Sequence, residues 1–321
     1  MSFNRRQVIW AAASLAAGTT YAQISGSKPL TLVVPFAPGG NADIVARSIS
    51  LPMGKLLGQA VIVDNRGGGG GAIGTALAAR AIPDGNTLLA ATPGQLGTLP
   101  NMFKTSYKRT DLVPVGILSK TSMALIVRRG DSRFKSVEEL IAYAKSNPGK
   151  VNVGHAGPGS PNHLALLQFE NSANCRFTAI SYKGSGPALL DLLSSQVDVV
   201  VDQVSSSLPH LKAQSLSALI VLGPTRDSHL AGVRTLKESG LAEFDASTYI
   251  GLLAPKGVPL AIIERLTATV QQVAVDSAFD QGLKAIGSTA FYADSKQFEE
   301  IIKADEQLAL ALIKQGRLVN E

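Results

Sequence analysis

Apolar residues recur along this chain in short solid runs, separated by longer stretches with helical spacing. LTLVVPF (30–36), AVIVDN (60–65) and TLLAAT (87–92) are runs rich in Val, Leu and Ile. Between them, ADIVARSIS (42–50) and GTALAARAI (74–82) carry apolar residues three and four apart, and the second stops at Pro83-Asp84-Gly85. Buried strands alternating with helices of this length predict parallel β-α-β units. A second set starts near Ala124. ALIVRR (124–129) reads as a strand and SVEELIAYAKSNPG (136–149) as a helix, with Ser136 as its cap, Glu139 three residues on and Pro148-Gly149 at its end. Strands KVNVGHA, RFTAISYKG, VDVVVDQ and LSALIVLG follow, with helices PNHLALLQFE and PALLDLLSSQ between them.

After Gly223 the pattern changes. TYIGLLAP (248–255) reads as one more strand, and two amphipathic helices, 259–279 and 295–315, close the chain. Ile262, Leu266, Val270 and Val273 mark the buried face of the first. No Gly/Ser linker or charge run divides the two sets. The expected architecture is therefore α/β, two lobes, each a mostly parallel sheet flanked by helices. Residues 28–123 and 225–321 form lobe 1, and 124–224 form an inserted lobe 2, with a ligand cleft between them.

The first 22 residues stand apart. Arg5 and Arg6 precede an apolar run from Val8 to about Gly18 and then Thr20-Tyr21-Ala22. This is the layout of a secretory signal with cleavage after Ala22, and NRRQVI partly matches a twin-arginine export signal. The run is too short for a membrane span, which needs roughly 20 apolar residues. A periplasmic location follows. Cys175 is the only cysteine, so neither a disulfide nor a cysteine-rich metal cluster is available. The formal charge of +6 becomes +6 − 2 = +4 without Arg5 and Arg6, and no basic, aromatic-laced block points to nucleic acid.

Candidate chemistry lies in four glycine-rich turns, each ending a strand and opening a helix. The most conspicuous is Gly67–Gly71, in VDNRGGGGGAIG (63–74). Gly69, Gly71 and Gly74 fit G-x-G-x-x-G, yet the next strand, TLLAAT, ends in Pro93, Gly94 and Gln95 with no acid to hold a ribose. Gly74-Thr75-Ala76 also lacks the lysine of a phosphate loop. The other turns are Phe36-Ala37-Pro38-Gly39-Gly40, with Asn41 as N-cap and Asp43 in the first helical turn; Gly157 to Ser160, with Ser160 as N-cap; and Gly184-Ser185-Gly186 before Pro187. Each presents first-turn N–H groups that lack intrahelical partners, in a field that favours an anion. Two turns in each lobe, facing one cleft, would clamp a carboxylate without lysine or arginine.

Five segments resemble the periplasmic solute receptors of tripartite tricarboxylate transporters, the TctC-like or Bug proteins: VPFAPGGNADIVAR, VDNRGGGGGAIG, AIPDGNTLL, GPGSPNHLA and YKGSGPALLDLLSSQVDVVVDQ. The resemblance runs in order from about Leu30 to the C-terminal helices. It implies a monomeric Venus-flytrap receptor, without cofactor, metal or catalytic residues, that closes on a small carboxylated solute and delivers it to membrane permease subunits. It places Phe36, Pro38, Gly40, Asn41, Gly70, Gly71 and Ala72 at the carboxylate, and Asp43 of the first helical turn is expected among the ligand-binding residues beside them. From the second lobe it adds Gly157, Ser160, His163 and Ser185. Asp202 is expected to meet a ligand amine, amide or hydroxyl, and Lys183 is either solvated or near the cleft mouth.

The chain departs from the family at three places. Asn41 and Ala42 stand where Thr or Ser is usual, NRGGGGG replaces Asn-Arg-Pro-Gly-Ala-Gly-Gly, and Pro52 is expected to break or kink the first helix. Other classes leave weaker traces. Ser160 and His163 are spaced for a conceivable nucleophile pair, but no G-x-S-x-G elbow is present. A receptor of an ABC importer would fold alike, but such receptors often grip carboxylates with arginine, and only Arg66 borders a turn. A sensory receptor would share the same features.

Overall fold

The computed structural model describes residues 28–318, so the expected signal segment lies outside the described residues. In chain order the elements are β1 (Leu30–Val34), α1 (Asn41–Leu57), β2 (Val61–Asn65), α2 (Ala72–Ala79), β3 (Thr87–Ala91), the one-turn α3 (Leu99–Met102) and β4 (Leu112–Thr121). There follow β5 (Met123–Arg128), α4 (Val137–Ser146), β6 (Asn152–His155), α5 (Pro161–Ala173), β7 (Thr178–Ser181), α6 (Ser185–Leu193), β8 (Val199–Gln203), α7 (Val204–Lys212) and β9 (Leu216–Val221). The chain ends with β10 (Thr248–Pro255), α8 (Leu260–Ala274), α9 (Ser277–Ala285), β11 (Thr289–Ala293) and α10 (Ser295–Lys314).

Two sheets result, ordered β11-β4-β10-β3-β1-β2 and β7-β6-β8-β5-β9. β1 pairs in parallel with β2 and β3, and β6 with β7 and β8, where the β-α-β units were expected. β4, β5, β9, β10 and β11 join antiparallel, so both sheets are mixed. β4 and β11 were not read from the sequence. β4 is ten residues of LVPVGILSKT, with Pro114 and Gly116 inside it. Burial explains the solid apolar runs: Leu32 and Val34 of β1 face one cluster while Val33 faces another.

The chain leaves the first sheet at Thr121 and enters the second at Met123. It returns with β10, at Thr248 rather than at 225. Leu236 and Ala246, placed by the sequence in lobe 1, sit in the core of the second sheet. Backbone bonds from Val221 to Arg234 and from Ala246 to Leu222 hold that loop to β9.

Three local expectations are corrected. Pro52 does not break α1, which runs on to Leu57 and a left-handed Gly58 cap. Val45, Ile49 and Met53 are fully buried along one face. Burying three such side chains is worth about 1.5–3 kcal/mol each, more than the ~3 kcal/mol a helical proline costs. The helix read over 259–279 is two helices, α8 and α9, because Asp276 caps the second by accepting from the Phe279 N–H at 2.8 Å. Asn41 is not the N-cap of α1; Gly40 is, and Asn41 is the first helical residue.

Candidate functional site

The two lobes meet at a small cavity of about 20 Å³. Its wall from the first sheet includes Phe36, Gly40, Asn41, Ala42, Thr92 and Ile250, with Thr248 at the start of β10. Its wall from the second includes Ala156, Pro161, Asn162, Ser185 and Gln203. Three helices, α1, α5 and α6, therefore begin at this cavity. Among the described residues, no lysine, arginine or acid lines it.

The helix starts nearly touch. A Cβ on Gly40, the cap of α1, would lie 3.6 Å from the backbone nitrogen of Ser185, the first residue of α6. Each end carries partial positive charge on unpaired N–H groups. Beside this contact, Ala37 N–H donates to the Lys183 carbonyl at 2.9 Å, so the two turns are joined through their backbones. The Lys183 side chain is exposed to solvent.

The five glycines make a different contact. Gly68, Gly69, Gly70 and Gly71 all have positive φ, from 56° to 137°, a run that other residues rarely adopt. A Cβ on Gly70 would stand 1.8 Å from the Pro158 carbonyl oxygen, and one on Gly157 would stand 3.0 Å from Gly70 Cα. Here one lobe's backbone rests on the other's. Gln95 Nε2 supports the loop from beneath by donating to Gly70 O at 3.3 Å, and Thr75 Oγ1 donates to Gly71 O at 2.8 Å. Gly70, Gly71 and Ala72, expected at the carboxylate, do not line the cavity.

Of the expected residues, Phe36, Gly40, Asn41 and Ser185 come together at the cavity. Pro38 sits where a Cβ on Gly186 would meet its carbonyl at 2.4 Å, so it belongs to the lobe contact. Asp43 turns back on its own helix, accepting from Gly39 N–H at 3.0 Å and pairing with Arg47 at 2.9 Å. Ser160 caps α5 by accepting from the His163 N–H. His163 Nδ1 accepts from Gly159 N–H at 3.1 Å, and its ring stacks on His155 at 4.5 Å. Hydroxyl and imidazole thus each bond backbone rather than each other. Asp202 is buried on the opposite side of β8 from Gln203, as strand alternation requires, and accepts from Ser206 and Ser207 at 2.7 and 2.6 Å. Burial raises its carboxyl above the ordinary range. Sequence reasoning missed Asn162, Gln203, Thr248 and Thr92. Asn162 and Gln203 lie inside GPGSPNHLA and YKGSGPALLDLLSSQVDVVVDQ, but nothing in the sequence singles them out, and only the folded lobes bring the four to one place.

Burial pushes His155 down to about 4 and His163 to about 3, the latter aided by its neighbour. Below the ordinary histidine value of 6.5, the unfolded chain binds protons that the folded rings refuse. Stability that depends on this pair is full above that pH and falls as pH drops from 6.5 toward about 4. Melting curves between pH 7.5 and 4 should show the fall, with a smaller one in His163→Asn, whose Oδ1 can still accept from Gly159.

The family model described as "Tripartite tricarboxylate transporter family receptor" matches residues 45–318. The chain belongs to that family. It is 35% identical to BugT of Bordetella pertussis over 284 residues, covering 87% of this chain and 86% of BugT. Among solved structures, the periplasmic binding protein BugD superposes with a TM-score of 0.85 at 33% identity, over 91% of this chain and 98% of BugD. MatC of Rhodopseudomonas palustris, solved with malate, gives 0.80 at 31%, over 88% and 98% of the two chains. A second R. palustris protein, solved with adipate, gives 0.86 at 29%, over 91% and 98%. The chain is thus a periplasmic solute-binding protein of the TctC/Bug type, a family of receptors rather than enzymes.

Proposed function

We propose that this receptor closes its two lobes on a small carboxylate solute and presents the closed complex to the membrane subunits of a tripartite tricarboxylate-type transporter. The observation that carries this reading is the meeting of the α1 and α6 starts, where a Cβ on Gly40 would lie 3.6 Å from the Ser185 nitrogen. Two positive helix ends at that separation repel, and an anion between them turns repulsion into attraction. The anion favours the closed form because only that form brings both ends together. The malate and adipate in the R. palustris relatives are carboxylates, which fits.

The test is thermal unfolding of the protein, freed of co-purified solute, against a panel of carboxylates, their primary amides and NAD. A solute at 100 times its dissociation constant adds about 2.7 kcal/mol. The melting temperature should rise with at least one carboxylate, stay level with its amide and with NAD, and do so equally in Arg47→Ala and Arg66→Ala. A rise with NAD alone, or loss of binding in either arginine variant, would overturn the backbone-anion site.

A further inference from the structure

The chain crosses between the lobes twice, at Thr121–Met123 and at Ala246–Thr248. Thr121 and Thr248 are paired across β4 and β10, and both look toward the cavity between the lobes. Thr121 Oγ1 donates to Asn41 Oδ1 at 3.0 Å, and Thr248 lines the cavity itself. Side chains alternate along extended backbone. Their sequence neighbours Lys120, Ser122 and Ser247 point the other way, and these three line a second cavity of about 270 Å³. Thr289 and Phe291 of β11 bound it from lobe 1, and the loop from Leu222 to Ser228 bounds it from lobe 2. The crossings thus have the solute cleft in front of them and a larger cavity behind.

The rear cavity is rich in unspent donors. The hydroxyls of Ser122, Thr225, Ser247 and Thr289 make no hydrogen bond among the described residues, and neither do the N–H groups of Gly223, Thr225, Arg226 and Asp227. Lys120 Nζ commits one N–H to Asp245, at 3.2 Å. Arg226 holds Glu238 through Nε and the Ala231 carbonyl through Nη1. Among the described residues the only acid on the wall is Asp227, whose carboxylate accepts from the His229 N–H at 2.8 Å. The wall therefore sets two cations against one committed carboxylate. Hydroxyls, backbone N–H groups and cations around one space suit an oxyanion. A phosphate group, with three terminal oxygens, takes up more of these donors than the two oxygens of a carboxylate.

We infer that the cavity behind the hinge is a second ligand site, that it takes a phosphate group, and that its occupant promotes closure on the solute. The lobes pivot on the two crossings, so the rear walls move relative to each other as the cleft shuts. A ligand that bridges Lys120 and Thr289 of lobe 1 to Gly223–Asp227 of lobe 2 gains both sets of contacts only in the closed arrangement. Phosphate and solute then raise each other's affinity by the same factor. This coupling rests on the receptor reading above; the site itself does not. The space beside Phe291 also admits a small organic body, so free phosphate and a phosphate monoester are the two sources of the group.

The experiment titrates inorganic phosphate and glycerol 3-phosphate by calorimetry, in phosphate-free buffer at constant ionic strength, into wild type, Lys120→Met and Thr289→Trp. Lys120→Met keeps the stem, removes the charge and leaves Asp245 solvated, its side chain being 38% exposed. Thr289 is an exposed residue at the start of β11, so tryptophan there fills the cavity without entering a core. One phosphate group should bind wild type, at least about 10-fold more weakly Lys120→Met, and Thr289→Trp not at all, with melting temperatures of the free proteins unchanged. Tighter binding of glycerol 3-phosphate assigns the site to a monoester; tighter binding of inorganic phosphate assigns it to the free ion. The carboxylate that gives the largest thermal shift is then titrated with and without the better phosphate compound at saturation. Its affinity should rise at least about threefold in wild type and stay level in both variants. Absence of phosphate binding, or equal binding in all three proteins, would overturn the site. Competition between phosphate and carboxylate would place phosphate in the cleft and overturn it too. A second carboxylate bound to wild type and lost in Thr289→Trp would overturn the phosphate class. Phosphate binding that leaves carboxylate affinity unchanged would overturn the coupling. A protein that binds phosphate behind the hinge but no carboxylate loses the receptor reading and keeps the site.

Discussion

Gly70→Ala should leave the protein folded and weaken solute binding by at least 100-fold. The added methyl would stand 1.8 Å from the Pro158 carbonyl oxygen. Both partners are backbone, so neither can swing aside. The clash exists only when the lobes are together, and in an open form that methyl has no neighbour across the cleft. What remains is a left-handed alanine at φ 63°, costing roughly 1–2 kcal/mol. A 100-fold loss of affinity corresponds to about 2.8 kcal/mol, modest for blocking the contact between two backbones. Gly69→Ala is the control. It has the same strain at φ 56°, but its Cβ would meet only the Ala72 side chain, at 3.6 Å within the same lobe. Calorimetry and solution scattering on both variants decide the matter. Gly69→Ala should bind and close like wild type. Equal losses in the two would show that loop strain, not the contact with Pro158, controls affinity.

The second large effect is on stability. Glu170→Ala should cost about 3–5 kcal/mol, because it strands a buried charge. Glu170 in α5 pairs with Arg317, just after α10, and their side chains are 6% and 12% exposed. The other carboxylate oxygen accepts from the Phe177 N–H at 2.7 Å. Removing the carboxylate therefore leaves a guanidinium and an amide without an acceptor. Leu164 and Leu167 of α5 pack against Met102, Ala309, Leu312 and Leu318, so the two segments that carry the pair meet across an apolar seam. Replacing both charges with methionine should recover the part of the loss that comes from the stranded guanidinium, leaving only the Phe177 N–H without its acceptor. A fall in melting temperature worth less than about 1 kcal/mol would place the pair among solvated surface bridges.

The sequence made the repeated strand-turn-helix device legible, and with it the parallel parts of both sheets. Solid Val and Leu runs such as LTLVV can be satisfied only between two helical layers, as β1 is. Ser136, Ser160 and Pro161 announced helix starts through local bonding that needs no tertiary context. β4 was illegible because Pro114 and Gly116 interrupt it, and its strand state depends on β10 and β11 pairing along its two edges. Pro52 misled because a local cost near 3 kcal/mol was outweighed by burial of the α1 face, which only the core supplies.

At the site, the sequence by itself determined that helix starts with unpaired N–H groups follow several strands, and that no cationic side chain lies inside those turns. Strand period determined more than was read from it: Asp202 and Gln203 must face opposite sides of β8, so only one can line the cavity. Which turns touch the ligand, and which touch each other, was decided by the tertiary structure alone. Gly40 meets Ser185 beside the cavity, whereas Gly70 meets Pro158 away from it, although both glycines sit in similar motifs. The reason is physical. Helix caps and strand faces arise from bonds a few residues apart, while the pairing of Asn41 with Ser205 or Gln203 with Thr248 requires the two lobes to be brought together.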